Sequence, residues 1–499
     1  MKIVINLSLI IFLAGCKRVT GEDYAEVTAI FPDYADVTIP ANIAPLNFSV
    51  ISGLKATAAF SCKDFSFTIS SNKKGEFNIP LAKWSQLLQA AKGDRFEVSL
   101  SVAESSLRSM ASLTAGKHYS ANVAESSVRT FYIHVANEPV DPYIVYRLIE
   151  PGYALWNKMG IYQRHLGSYR ESAVYENKMT DYNCVNCHSF CAQNPDKMLF
   201  HLRAKHAGTV FIDGDAIDFL QTKTEQTISA LVYPSWHPSG KFVAFSVNRT
   251  SQVIHPTQRT EVFDLASDVV VYDVEAQTIL TTPAIFSKSD FETFPTFSAD
   301  GKTLYYCTGT ACIMPDSIQS LRYSLCSISF DADNKSFGNR VDTVYHAMRQ
   351  GYSVSFPRVS PDGRYLLCTL SSYGTFPVWH KDADLYLIDL ETNEGKYPEN
   401  VNSEQADSYH SWSSNSRWIV FSSRRLDGLY TRPFFVYINE NGETAKPFLL
   451  PQKKSAAYYT ELTKSYNIPE FVTGSVKNRA YAIMRKAKDE STHKQVSFN

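Results

Sequence analysis

Apolar and polar positions in the second half of the chain alternate with a period of two in short runs, and these runs recur in the same order. Tyr233-Pro234-Ser235-Trp236, Phe294-Pro295-Thr296-Phe297, Phe356-Pro357-Arg358-Val359 and Tyr409-His410-Ser411-Trp412 each open a short strand. A turn centred on Gly240, Gly301, Gly363 or Ser416 follows, and then a second apolar strand. A third strand also recurs, since Asp268-Val269-Val270-Val271-Tyr272-Asp273 matches Asp384-Leu385-Tyr386-Leu387-Ile388-Asp389. The period is roughly 50–60 residues, which marks a repeat architecture. One small sheet exposes two apolar faces, and a ring of such sheets covers both, so the pattern predicts an all-β fold, a β-propeller.

Upstream, Met198 to Arg203 and Gly208 to Asp213 fit one further blade, and Tyr143 to Tyr175 has strand character as well. Asn467 to Val472, close to the C-terminus, fits a strand completing a blade begun on the N-terminal side, which would latch the ring. The expectation is six blades, or seven, over residues 139–490. Residues 36–138 carry separate alternating runs, at Asn47 to Ile51, Phe96 to Leu100 and Thr130 to Val135. They predict a small β-sandwich-like domain, with a helical turn or two at Leu81 to Ala91 and an exit at Asp141-Pro142.

The recurring Phe/Tyr-Pro-x-Phe/Trp segment, with its Ser-Pro-Asp-Gly-Lys/Arg turn, resembles the WD40-like repeat of TolB-type propellers over roughly residues 228–450. That resemblance implies a funnel and rim presented to an envelope protein or glycan partner.

The N-terminus reads as a targeting signal. Lys2 precedes an apolar run from Ile3 to Leu13, and Leu13-Ala14-Gly15-Cys16 resembles the bacterial lipobox. The run is shorter than the ~20 residues that span a bilayer. The resemblance implies a signal peptide at 1–15, lipid on Cys16, and a polar tether at 16–35. It places the protein in the cell envelope as a lipoprotein, on the outer membrane, facing the periplasm or the surface. The 49 basic and 50 acidic residues nearly cancel, which gives a nucleic-acid partner no electrostatic support. The 29 Tyr and 30 Phe favour strands.

Cys184-Val185-Asn186-Cys187-His188 matches CxxCH, the spacing at which two thiols add to the vinyl groups of haem and the histidine ligates iron. The surrounding segment resembles one in exported Bacteroidetes propeller lipoproteins of cytochrome c-like type. It stands where other repeats carry Tyr-Pro-Ser-Trp, and is expected to be a cysteine-rich loop replacing a blade hairpin. With haem c bound, His188 is the proximal ligand. His201 is the first candidate for the sixth position, ahead of Met198, Met179 and His206. Met198 and His201 fall on opposite faces of one strand. Three readings compete with haem: a Cys184–Cys187 disulfide, zinc held by Cys184, Cys187, Cys191 and His188, and a segment with no cofactor.

Cys307 and Cys312 flank a turn and could bridge, while Cys326 and Cys368 fit buried thiols. Asp268 and Asp384 read as turn-fixing groups and Trp236 and Trp412 as packing between blades. His237, His255 and His410 read as scattered loop residues. No Gly-x-Ser-x-Gly, HExxH, P-loop or dinucleotide fingerprint is present. The expected function is a membrane-anchored binding module, with haem serving electron transfer or sensing. A hydrolase using the funnel and a disulfide-stapled scaffold are the alternatives.

Overall fold

The structure is a computed structural model that describes residues 28–102, 128–150, 158–254 and 260–499. The signal, Cys16 and His255 lie outside the described residues. Six antiparallel sheets follow one another, and each inner strand touches the next around a full circle. Blade 1 comprises Tyr143–Ile149, Met159–His165 and Glu171–Glu176, and its innermost strand is Ser465–Val472 from the other end of the chain. That strand touches the inner strands of blades 2 and 6, so closure is a strand pairing and not a loop contact.

Blade 2 begins with Val185–Phe190, blade 3 with Val232–Trp236 and blade 4 with Asp290–Phe297. Blade 5 begins with Ser353–Val359 and blade 6 with Asp407–Trp412. Separate apolar clusters fill the gaps between successive blades, for example Val145, Tyr175, Met198 and Phe200 between blades 1 and 2. The six-bladed expectation and the latch at 467–472 are both met. Past the latch, helix Ala480–Lys488 packs on the outside of blade 2. Lys494–Gln495 and Ser497–Phe498 then pair in parallel with the outer edges of blades 2 and 3. The tail thus covers two exposed edges that would otherwise offer unpaired backbone groups.

The N-terminal region has one five-stranded sheet, in the order Thr38–Pro40, Val128–Ala136, Arg95–Val102, Ala56–Cys62, Phe65–Ser70. Instead of a second full sheet, helix Leu81–Ala91 covers it, burying Trp84, Leu87, Leu88 and Ala91. Their spacing is that of one helical face. The domain shares an apolar cluster with blades 6 and 1. Asp141 fixes the junction by accepting from Ser414 N and Oγ at 2.7 and 2.6 Å. No described helix is long and apolar enough to cross a membrane.

Candidate functional site in the central channel

Every inner strand carries the same defect. In blade 4, Thr293 faces Cys307 and Thr296 faces Tyr305, so Phe294 and Pro295 stand opposite a single partner residue. This is a β-bulge. The equivalent pairs are Cys187-His188, Tyr233-Pro234, Phe356-Pro357, Tyr409-His410 and Ile468-Pro469. The first residue of each pair is left-handed, with φ of 52° at Cys187, 50° at Tyr233, 47° at Phe294, 54° at Phe356, 47° at Tyr409 and 52° at Ile468. Such backbone costs non-glycine residues of order 1 kcal/mol each. Repeating it six times turns six side chains onto the axis. The second residue of each pair needs no ladder N–H, so proline is tolerated there.

On the axis, four aromatic residues make a near-continuous wall. Ring centroids are 4.6 Å apart for Tyr233–Phe294, 4.6 Å for Phe294–Phe356 and 4.8 Å for Phe356–Tyr409. Phe376, from the connection between the second and third strands of blade 5, lies against three of them. Cys187 and Ile468 complete the circle with smaller side chains, and the six inner strands together line a pocket of about 50 Å³ that opens to solvent. His188, His410 and Arg358 share that pocket.

Burial pushes Cys187, His188, His410 and Glu470 toward their neutral forms. Burial pushes the Cys187 thiol up, so it stays protonated. His188 is 1 % exposed and His410 3 %. Burial pushes both imidazoles down to about 3, and the nearby Arg358 guanidinium adds to the effect. His410 Nε2 donates to the Leu367 carbonyl at 2.8 Å, while its Nδ1 has no partner. Neither ring nitrogen of His188 has one at hydrogen-bonding geometry. Arg358 and Glu470 are 3.6 Å apart, too long for a hydrogen bond. Burial pushes the Glu470 carboxyl up to about 7 despite that neighbour.

The CxxCH segment therefore sits in a strand and not in a cysteine-rich loop. Val185–Phe190 pairs with Lys197–Leu202 as every other inner strand pairs with its neighbour. The residues do not fit a haem in this arrangement. Cys184 belongs to the apolar cluster between blades 1 and 2, whereas Cys187 faces the channel. A porphyrin joined to both thiols would have to wedge apart blades that are packed against each other. His188 has free ring nitrogens, as an iron ligand needs, but the two thiols beside it do not converge on one face.

His201 lies near Phe245 of blade 3, with its Nδ1 2.9 Å from Thr209 Oγ1, and it does not line the pocket. Met198 is buried in the cluster on the other face of its strand, so the opposite-face expectation holds. Met179 packs at the edge of that same cluster, and His206 pairs with Asp181 at 3.0 Å. The zinc set is divided as well, because Cys191 packs between blades 2 and 3. Among the described residues no three His, Cys, Asp or Glu side chains gather as a metal site, and all eight described cysteines are unbridged.

Cys307 lies in the core between blades 4 and 5, and the Cys312 thiol lies 3.8 Å from Met314 Sδ. Trp236 and Trp412 do join blades, donating to the Ser189 and Arg358 carbonyls at 3.3 and 3.1 Å. Two histidines expected in loops are structural or axial. His237 is buried beside the Gly301 carbonyl, 3.1 Å away, and His410 is the blade 6 counterpart of His188. Arg358 and Glu470 were not foreseen. The signal that could have found the site was a substitution within the repeat, histidine for proline at positions 188 and 410.

No protein-family model and no curated protein matches the chain. Solved structures similar to it include TolB from Acinetobacter baumannii, at 11 % identity, covering 79 % of this chain and 85 % of that one, with a TM-score of 0.43. A putative TolB from Agrobacterium tumefaciens matches at 12 % identity over 66 % of this chain and 98 % of that one, with a TM-score of 0.37. A hypothetical selenium-binding protein from Sulfolobus tokodaii matches at 7 % over 69 % and 96 %, with a TM-score of 0.41. The fold is a six-bladed β-propeller, and that statement rests on its strand pairing.

Proposed function

We propose that this chain is a lipid-anchored, non-catalytic binding protein of the bacterial cell envelope. The propeller is the binding module, and the N-terminal domain spaces it from a membrane held through Cys16. One observation carries the claim that it is not catalytic. The thiol and imidazole of the CxxCH segment that face the channel, Cys187 and His188, are buried, the thiol is held protonated, the imidazole is left a weak base, and the two are not bonded to each other. A nucleophile needs a base within hydrogen-bond reach or a depressed pKa, and Cys187 has neither. In this reading Cys187 and His188 belong to the channel wall and carry no haem. The partner is an envelope protein met by the rim of the disc.

Cells expressing the full chain and fed an alkyne fatty acid test the anchor. Label is expected on the natural protein and absent from Cys16→Ala, and label retained by the variant would refute anchoring at that residue. The purified chain is expected to turn over no peptide or glycan substrate. Turnover that disappears in a His188 or Glu470 variant would make it an enzyme.

A further inference from the structure

The binding reading leaves open what the channel itself takes up, and the inference here rests on that reading. Four blades place proline at the second bulge position, and blades 2 and 6 place histidine there. Proline satisfies the fold at this position, so the imidazoles answer to something else. A local departure from an otherwise consistent pattern is where a functional site is expected.

Three nitrogens of the two buried rings make no hydrogen bond of good geometry and have only the backbone of Val145, Ile468 and Phe356 near them, although buried polar groups are almost always satisfied. The charges beside them are cationic. Arg358 lines the pocket, and the Arg147 guanidinium also acts on His188. Arg147 itself bonds only neutral groups, the Asn186 side chain and the Val185 carbonyl. Glu470, the one carboxyl paired with Arg358, is held 3.6 Å off. The four aromatic rings of the wall line the same pocket and accept a flat apolar body against them. Phe376 lies over one end of this ring. The bulge residues lead toward the other end, where the first hairpin turns of the blades lie.

We infer that the central pocket is a binding site for a small planar carboxylate with an aromatic or unsaturated body. Its carboxylate pairs with the Arg358 guanidinium and accepts from the N–H of the neutral His188 ring, and its own ring lies against the aromatic wall. His410, whose N–H is used at the Leu367 carbonyl, lines the site without donating. A planar guanidinium suits a carboxylate through two parallel hydrogen bonds.

Calorimetric titration of the full mature chain with sodium benzoate at neutral pH tests this. Benzyl alcohol serves as the uncharged match and acetate as the ring-free match. Saturable one-to-one benzoate binding is expected, with both matches at least tenfold weaker. Arg358→Gln and the double variant His188→Pro/His410→Pro are each expected to weaken benzoate at least tenfold. The double variant restores the residue that four blades already use, so it should melt cooperatively, and that melt separates lost binding from lost fold. Absence of saturable benzoate binding overturns the proposal. So does binding that survives in both variants, or benzyl alcohol binding as tightly as benzoate. Turnover or covalent haem would instead overturn the non-catalytic reading, by a different readout.

Discussion

Blades 3, 4 and 5 and blades 2 and 6 solve one structural problem with different residues. All set a left-handed residue on the axis and follow it with a position that pairs with nothing. In blades 3, 4 and 5 that position is Pro234, Pro295 or Pro357, which is rigid and chemically silent. In blades 2 and 6 it is His188 or His410, each bringing a buried imidazole into the channel. The bulge is therefore set by the fold and the side chain placed on it is free to vary. A motif falling on the bulge can look like cofactor chemistry while obeying the repeat.

Breaking the ring should have the largest effect, because it removes the frame of the comparison. Truncation after Lys464 deletes the inner strand of blade 1 and exposes the cores on either side of it. No cooperative thermal transition is expected. Truncation after Glu490 removes the two short edge strands together with Val496 of the core and the Phe498 and His493 ring contacts, and should still leave a cooperative melt, lowered by about 2–4 °C for each kcal/mol lost. Equal behaviour of the two truncations would mean that the ring closes elsewhere.

Acid should separate the two kinds of blade next. Buried imidazoles held down at about 3 are neutral in the folded chain, and in the unfolded chain they protonate below about 6.5. The stability tied to them is full above pH 6.5 and falls as pH drops toward 3, by about 1.4 kcal/mol per pH unit for each ring. Glu470 works in the opposite direction. Its folded value of about 7 lies above the ordinary one, so its contribution is lost as pH rises from 4.5 to 7. Urea midpoints at pH 7 and pH 5 should show a drop for the natural chain that exceeds the drop for His188→Pro/His410→Pro by about 2–4 kcal/mol. Identical drops would place the two rings in water.

The smallest effect sharpens the contrast between the two histidines. His410→Pro loses the well-formed bond to the Leu367 carbonyl, whereas His188→Pro loses only looser backbone contacts of its ring at Val145 and Ile468. The first should be less stable than the second by about 1 kcal/mol. His188→Pro alone should be neutral or stabilising by about 0.5–1 kcal/mol, since proline restricts the unfolded chain. Chemical denaturation at pH 7 measures both.

Most of the fold was legible because a propeller writes its period into the chain. The recurring turn and strand gave the blades, and the apolar run at 467–472 gave the latch. The N-terminal domain was legible as strands but not as layers, because an amphipathic helix and a second sheet can cover one apolar face equally well. The site was only half legible. Cys187 and His188 stood out as a motif, and the motif's chemistry displaced the plainer observation that they align with Tyr233-Pro234. His201 was placed on the right strand, but the face it occupies turns it toward blade 3. Arg358 and Glu470 are separated by 112 positions in sequence, and only closure of the ring brings them together.

The central claim is that Cys184 and Cys187 serve two different compartments of a packed disc and are not joined by one prosthetic group. The absorbance spectrum of the natively exported chain, recorded after full denaturation and acid–acetone extraction, tests it most directly. The expected trace has no Soret band travelling with the polypeptide, and both thiols become alkylatable only once the chain unfolds. A Soret band that stays with the extracted polypeptide, with Cys184 and Cys187 blocked, would contradict it.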